Sequence, residues 1–390
     1  MNDAGSELDP KPKNQNKVYF RLLLIGILVF GILVFARLSL FVSGTDFWLS
    51  PVGSQNTLSD ATNLPTPGAP VSQGSQPVTV LVPTPVDSVV PFTQLLTFQT
   101  DASLPLSGKL IFLDPGHGGK DPGCSIFAGG VRYLEAPINL TIANRTKTDL
   151  EAKGATVIMM RSDDSWVSLY NRISLTHLYC IQYADQMRID TLSNRDKERI
   201  IRELSDTIQV NSDNVNGGGM GIMAGTGVGS DLNLLMNLEK KMTDVLYLSI
   251  HVNSNGSSYV HGTQVYYDTD ESVISSEKHM VKTIPEYRNN PNFPLRKVYY
   301  GRNGSRNQLL AQSIYDAVIS SEPQMATNAK SVLTDNFAVL REHNLAGVMV
   351  EVGFITNKKD RSYLSDSAYI DKISLGITEG CIRFFASDNS

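Results

Sequence analysis

Apolar residues fall into three patterns along this chain. From Leu22 to Val42 they run almost unbroken, with Arg37 the one charge among them. Between about residues 50 and 100 they thin into a stretch rich in Pro, Ser, Thr, Gln and Val. Beyond residue 108, short apolar runs alternate with helical or mixed segments. The runs at about 109–113, 156–160, 245–250, 263–267 and 347–351 predict strands. Pro137 marks the first turn of a helix that Ile138, Ile142 and Leu150 continue, and Leu364 to Phe385 predicts a closing helical stretch. This alternation predicts an α/β domain over 108–390.

The first pattern has the length of a membrane span, which needs about 20 apolar residues. Lys11, Lys13, Lys17 and Arg21 precede it, so residues 1–21 are expected to be a basic cytoplasmic tail, 22–42 a single transmembrane anchor, and the rest extracytoplasmic. The alternative is secretion after signal cleavage near Gly44, but the apolar segment is longer than a usual signal core. Residues 43–107 read as a disordered Pro/Ser/Thr-rich linker, with eight prolines from Pro51 to Pro91 and Asp60 and Asp87 the only charges between Ser50 and Thr100. As polyproline-like chain at ~3.1 Å per residue it would reach well over 100 Å. Its last part, Phe92 to Phe98, is more apolar and is expected to pack on the domain.

Charge and cysteine usage narrow the function classes. Lys and Arg number 34 against 39 Asp and Glu, an acidic excess that argues against a nucleic-acid partner. Cys124, Cys180 and Cys381 are too few and too dispersed for a disulfide framework or a cysteine-rich metal site, and Cys124 is read as structural.

Four residues carry candidate chemistry. His117 follows the first strand in a Pro/Gly-rich turn, His251 follows the 245–250 run, Glu351 closes the 347–350 run, and Glu135 opens the helix at Pro137. Open α/β sheets place their crevice at the carboxyl ends of the strands, where three of these groups would converge. Two imidazoles and a carboxylate are a common catalytic zinc set that leaves a position for water. Each residue alone has a plainer reading. A histidine after a strand is more often a hydrogen-bonded loop residue, and Glu135 alone is explained by the helix dipole. Spacings of 18, 116 and 100 residues identify nothing by themselves.

The surrounding sequence does. LDPGHGGKDPG at 113–123, the helix ending in LEAKGATVIMMRSDD at 150–164, LYNRISL at 169–175, YLSIHVNSNG at 247–256 and FAVLREHNLAGVMVEVGFITNKKD at 337–360 resemble, in order, the zinc-dependent N-acetylmuramoyl-L-alanine amidases of the bacterial cell wall. The resemblance spans roughly residues 108–388. It implies a central twisted, mostly parallel sheet with helices on both faces. It also implies one Zn²⁺ held by His117, Glu135 and His251, with Glu351 as the catalytic acid/base. No further cofactor is implied. The substrate implied is peptidoglycan, cut between N-acetylmuramic acid and L-alanine. Asn253, Arg161 and Arg172 also match family positions, as substrate contacts or as residues that hold loops. Two rival functions are a zinc carboxypeptidase acting on stem peptides and a silent wall-binding scaffold.

One stretch departs from the family pattern. Between Arg172 and His251 lie 78 residues, and the surplus is placed at about 180–240. Ser193 to Ser205 reads as a charged helix with Ser193 as N-cap. Residues 217–229 hold seven glycines in thirteen positions, but no apolar strand precedes them and no Gly-Lys-Ser/Thr follows, so neither nucleotide-binding fingerprint is met. The insertion is expected to be either a lid or docking site for a regulatory protein, or a surface decoration.

Overall fold

A computed structural model describes residues 96–98, 101–189, 192–212, 223, 230–285 and 301–388. In chain order the elements are β1 (Leu110–Pro115), β2 (Ser125–Ala128), β3 (Val131–Leu134), α1 (Glu135–Ala152), β4 (Thr156–Met159), α2 (Leu169–Met187), α3 (Asn194–Ser212), α4 (Ser230–Glu239), β5 (Val245–Asn253), β6 (Gln264–Tyr267), α5 (Asp270–Thr283), α6 (Gly304–Ser321), β7 (Val332–Thr334), α7 (Ala338–Arg341), β8 (Ala346–Phe354), α8 (Lys358–Leu364) and α9 (Ser367–Asp388).

Six strands form one sheet in the order β4-β1-β5-β8-β6-β7. The first four are parallel to one another, β6 is antiparallel to β8, and β7 runs parallel to β6. The predicted mostly parallel sheet is therefore present, with a reversed pair at one edge. β1 and β8 are buried along their whole length, which is why they read as continuous apolar runs rather than alternating ones.

Alternate residues feed two cores. Ile111, Leu113, Leu246, Leu248, Val348 and Val350 pack against α1, α6 and α9 through Ile142, Leu150, Ile314, Ile373 and Phe384. Leu110, Phe112, Val245, Tyr247 and Met349 face the other way, against Tyr179, Cys180 and Tyr183 of α2, Leu238 of α4 and Leu340 of α7. Helices thus cover both faces. Each such buried side chain contributes roughly 1.5–3 kcal/mol relative to exposure.

The hairpin β2–β3 and the three-residue β7 are absent from the hydrophobic pattern because little of them is buried. Ser193 does cap α3, accepting a hydrogen bond from the Asp196 amide at 3.1 Å, and the helix continues past Ser205 to Ser212. That helix packs on α2 and α4 through Ile200, Leu204, Leu178, Ile181 and Leu235, and Arg199 forks onto Asp231 at 2.6 and 2.7 Å. Within 217–229 only Met223 is described, buried beside Ile173, Leu232 and Met236.

Leu96 is buried in the second core, Phe98 meets Tyr183 edge-on at 5.7 Å, and the Thr156 hydroxyl donates to the Thr97 carbonyl at 2.7 Å. Leu106, assigned by sequence to the linker, is fully buried in the first core. Among the described residues no helix is long and apolar enough to cross a membrane. The span assigned to 22–42 and the Pro-rich stretch up to Pro91 lie outside the described residues.

Candidate metal centre and active site

β1, β5 and β8 are neighbours and parallel, so their carboxyl ends share one edge of the sheet. His117 lies two residues past β1, His251 near the end of β5 and Glu351 near the end of β8. Glu135 is the first residue of α1, whose leading amides are met by the carbonyls of Cys124 and Pro122. The hairpin β2–β3 fills the interval between His117 and Glu135 and returns the chain to the same edge.

His117, Glu135 and His251 come together, all buried, with one potential ligand atom from each lying within 4.8 Å of the others. Glu135 Oε1 is 3.3 Å from His117 Nε2 and 2.9 Å from His251 Nδ1. The other ring nitrogen of His117 is 2.8 Å from Asp121 Oδ2. A carboxylate in that position fixes the ring and its tautomer and leaves Nε2 for an ion. Two imidazole nitrogens and a carboxylate oxygen, clustered and buried at a strand edge, fit a divalent ion of the kind that histidine-rich sites hold.

The charges respond to this crowding. Burial favours neutral His117, but hydrogen bonds and charge from Asp121 and Glu135 outweigh it and raise its pKa to about 9. Glu135 is also penalised by burial, yet the two histidines hold its carboxyl well below the usual range. For His251 burial dominates and lowers the pKa. Glu351 is pushed far up, first by burial and then by the Glu135 charge.

Glu351 stands opposite His251 in the β5–β8 register, 6 % exposed, and its Oε2 has no hydrogen-bond partner among the described residues. An unsatisfied buried carboxyl oxygen costs roughly 1–3 kcal/mol, so its retention beside a cluster of ligand groups points to chemistry rather than packing. Cys124 is close, with its amide donating to Glu135 Oε2 at 2.8 Å, but burial and the Glu135 charge push its thiol up to about 12. It stays protonated at neutral pH.

Arg161 and Arg172 are buried beneath the His117 turn. Arg161 donates to the carbonyls of Pro115, Gly116, Ala136 and Asp163 at 2.8–2.9 Å. Arg172 donates to the carbonyls of Val167, Pro115 and His117 at 2.7–3.0 Å and pairs with Asp114. Asn253 turns to Gln264, its Nδ2 3.3 Å from Oε1, and its own Oδ1 accepts from the Ser254 amide at 2.7 Å.

Two acidic neighbours of the cluster are not among the residues singled out in the sequence. Asp121 lies four residues past His117, a spacing that a turn closes as readily as a helix. Asp114 is a charge ending an apolar strand, the same signal that marks Glu351.

Comparison with known proteins places this geometry. The family profile described as N-acetylmuramoyl-L-alanine amidase matches residues 111–180 and 200–383. N-acetylmuramoyl-L-alanine amidase LytC of Bacillus subtilis (strain 168) is 26% identical over 281 residues, which are 72% of this chain and 36% of that protein. The chain thus spans little more than a third of LytC. The germination-specific N-acetylmuramoyl-L-alanine amidase of the same organism is 25% identical over 283 residues, 73% of this chain and 82% of that protein. Among solved structures, the CwlD amidase from Clostridioides difficile in complex with the GerS lipoprotein aligns with 72% of this chain and 100% of that one, at 20% identity and a TM-score of 0.42. Since the profile covers well over half of the sequence and takes in His117, Glu135, His251 and Glu351, the chain belongs to the N-acetylmuramoyl-L-alanine amidase family.

Proposed function

We propose that this protein is a zinc-dependent hydrolase that cleaves the amide between N-acetylmuramic acid and L-alanine in peptidoglycan. The observation that carries the reading is the buried His117, Glu135 and His251 cluster with Glu351 across the strand pair from His251. His117, Glu135 and His251 would hold the ion. Zinc, when bound in such a site, polarises a carbonyl and makes water acidic enough to attack at neutral pH.

The chain's own residues do the rest. Glu351 accepts a proton from the attacking water and returns it to the leaving α-nitrogen of L-alanine as the new carbon–oxygen bond replaces the carbon–nitrogen bond. Asp121 keeps His117 oriented, and Arg161 and Arg172 hold the turn that carries it. Asn253, two residues past His251, is tied to Gln264 and to the Ser254 amide and supports the end of β5.

The test is product analysis of purified peptidoglycan after incubation with the full chain. The amidase frees an L-alanine amine and a lactyl carboxylate. A stem-peptide carboxypeptidase would release a terminal amino acid and no such amine, and a scaffold would release nothing.

Two further assignments belong to the same proposal. Residues 22–42 anchor the protein with its catalytic domain outside, supported by their length and the basic tail before them; extraction of the protein by carbonate without detergent would refute this. The 180–240 region docks a regulatory protein, supported by its helices packing on α2 at Leu178 and Ile181. Unchanged wall cleavage in cells and in isolation after deletion of 192–229 would refute it.

A further inference from the structure

The turn that presents His117 is held in an unusual way. His117 itself is in the left-handed region, with φ 62°, which costs a non-glycine residue roughly 1–3 kcal/mol and persists only where the surroundings over-determine it. Three successive carbonyls of the turn are all claimed by buried cations. Pro115 O accepts from Arg161 Nε at 2.9 Å and Arg172 Nη1 at 2.8 Å, Gly116 O from Arg161 Nη2 at 2.8 Å, and His117 O from Arg172 Nη2 at 2.7 Å.

Those guanidiniums need a counter-charge and a fixed direction. Asp114, 1 % exposed at the end of β1, supplies both for Arg172. Its Oδ1 pairs with Arg172 Nη1, while Oδ2 accepts from the Tyr247 hydroxyl at 3.0 Å and the Ser249 hydroxyl at 3.1 Å. Ser249 lies two residues before His251 on β5, and β1 and β5 pair with Asp114 opposite Ser249. Asp114, Ser249 and His251 therefore lie on one face of the sheet. One carboxylate touches the backbone support of the first histidine and the strand of the second.

We propose that Asp114 is a positioning residue for the metal centre. Through Arg172 it fixes the left-handed turn at His117, and through Ser249 it ties that turn to the strand carrying His251, so the two imidazoles are held at a set separation before an ion arrives. Preorganised ligands bind a metal more tightly because less order is lost on binding. The inference rests on the zinc reading given above. Lysine cannot replace Arg172, since a single ammonium does not reproduce the planar fork that joins Asp114 to two carbonyls.

The test uses zinc alone as the probe, titrated against a chromophoric chelator, with the full chain as parent and Asp114→Asn, Arg172→Lys and Ile314→Ala as variants. Cobalt substitution gives a second readout, since its visible spectrum reports ligand geometry. Ile314 is fully buried in α6, in the core against the opposite face, and serves as the control for lost stability. Asp114→Asn and Arg172→Lys should weaken zinc binding about 10–100-fold, as loss of outer partners of metal ligands does, and should shift the cobalt spectrum. Ile314→Ala should lower Tm and leave both readouts unchanged. If Asp114→Asn does not fold, Arg172→Lys decides the matter alone. Parent-like zinc affinity and cobalt spectrum in the folded variants would overturn the inference while leaving the zinc reading intact. So would losses in Ile314→Ala that match those in Asp114→Asn. A parent that takes up no zinc overturns the zinc reading and this inference with it.

Discussion

Glu351 lies directly across from His251 in the parallel register of β5 and β8, both side chains buried at the carboxyl edge of the sheet. His251 has Glu135 as its partner, whereas one oxygen of Glu351 has no partner among the described residues. In the proposed reaction the two residues share an address but differ in task, ligand against proton carrier. Glu351→Gln keeps the shape and removes the exchangeable proton. Its zinc content should match the parent's, and kcat should fall by about 10²–10⁴, the usual contribution of a positioned acid/base. Steady-state release of L-alanine amines beside metal analysis checks this, and loss of zinc in the variant would assign Glu351 to ligation instead.

Two glycines leave room for the cluster of His117, Glu135 and His251. A Cβ on Gly116 would fall 2.0 Å from His251 Cε1, and one on Gly123, at φ +66°, would fall 2.6 Å from Glu135 Oε2 and 2.7 Å from His117 Cδ2. Neither contact is relieved without moving His251, Glu135 or His117. Gly116→Ala and Gly123→Ala should therefore lose metal binding, with Gly123→Ala further strained by its positive φ. Equilibrium dialysis against zinc is the measurement, and full occupancy in either variant would contradict the geometry.

Removing the ion should loosen the fold as well as stop the reaction. Burial of Glu135 between two histidines joins β1, α1 and β5 at one point. An ion bound there at a thousand times its Kd stabilises the native state by about 4 kcal/mol, so chelation should lower Tm by on the order of 10 °C in a domain of this size. Calorimetry of the full chain with chelator, then with zinc restored, reads the shift. No change on chelation would mean that the cluster holds no ion.

How much of this was legible in the sequence depends on burial. β1, β5 and β8 are covered on both faces, so their apolar runs stand out, and the residue that ends or follows each run is the one that reaches the crevice. Glu351 and Asp114 could both be flagged because a charge at the end of a buried strand is costly unless it serves a purpose. The hairpin β2–β3 could not be found that way. Its outer positions are open, with Phe127 73 % and Val131 51 % exposed, so its residues show no core-facing alternation. Nor could the partners of Arg161 and Arg172 be read ahead. Only Asp114 among the partners described for these two guanidiniums is a carboxylate. Backbone carbonyls take the rest, and a sequence does not show which carbonyls a turn will leave unpaired.

Away from the site, Asp268 offers a test of pH dependence. It follows β6, which runs antiparallel to β8, and so sits toward the opposite edge of the sheet from Glu351. It is fully buried. Burial raises its pKa to about 7, the charges of Arg302 and Arg341 offsetting only part of the effect. In the unfolded chain the same group titrates near ~3.9. Between those values the native state holds a proton that the unfolded state has released, so this group makes stability fall as pH rises from about 4 to 7, and its effect is flat above. The span corresponds to an upper limit of about 4 kcal/mol. Asp268→Asn has no proton to lose. Its stability relative to the parent should therefore climb between pH 5 and pH 7.5, whatever the offset that the amide itself introduces, while cleavage of peptidoglycan is unchanged. Urea unfolding at pH 5, 6 and 7.5 reads the difference in slope, and parallel curves for the two proteins would show that Asp268 is ionised in the fold.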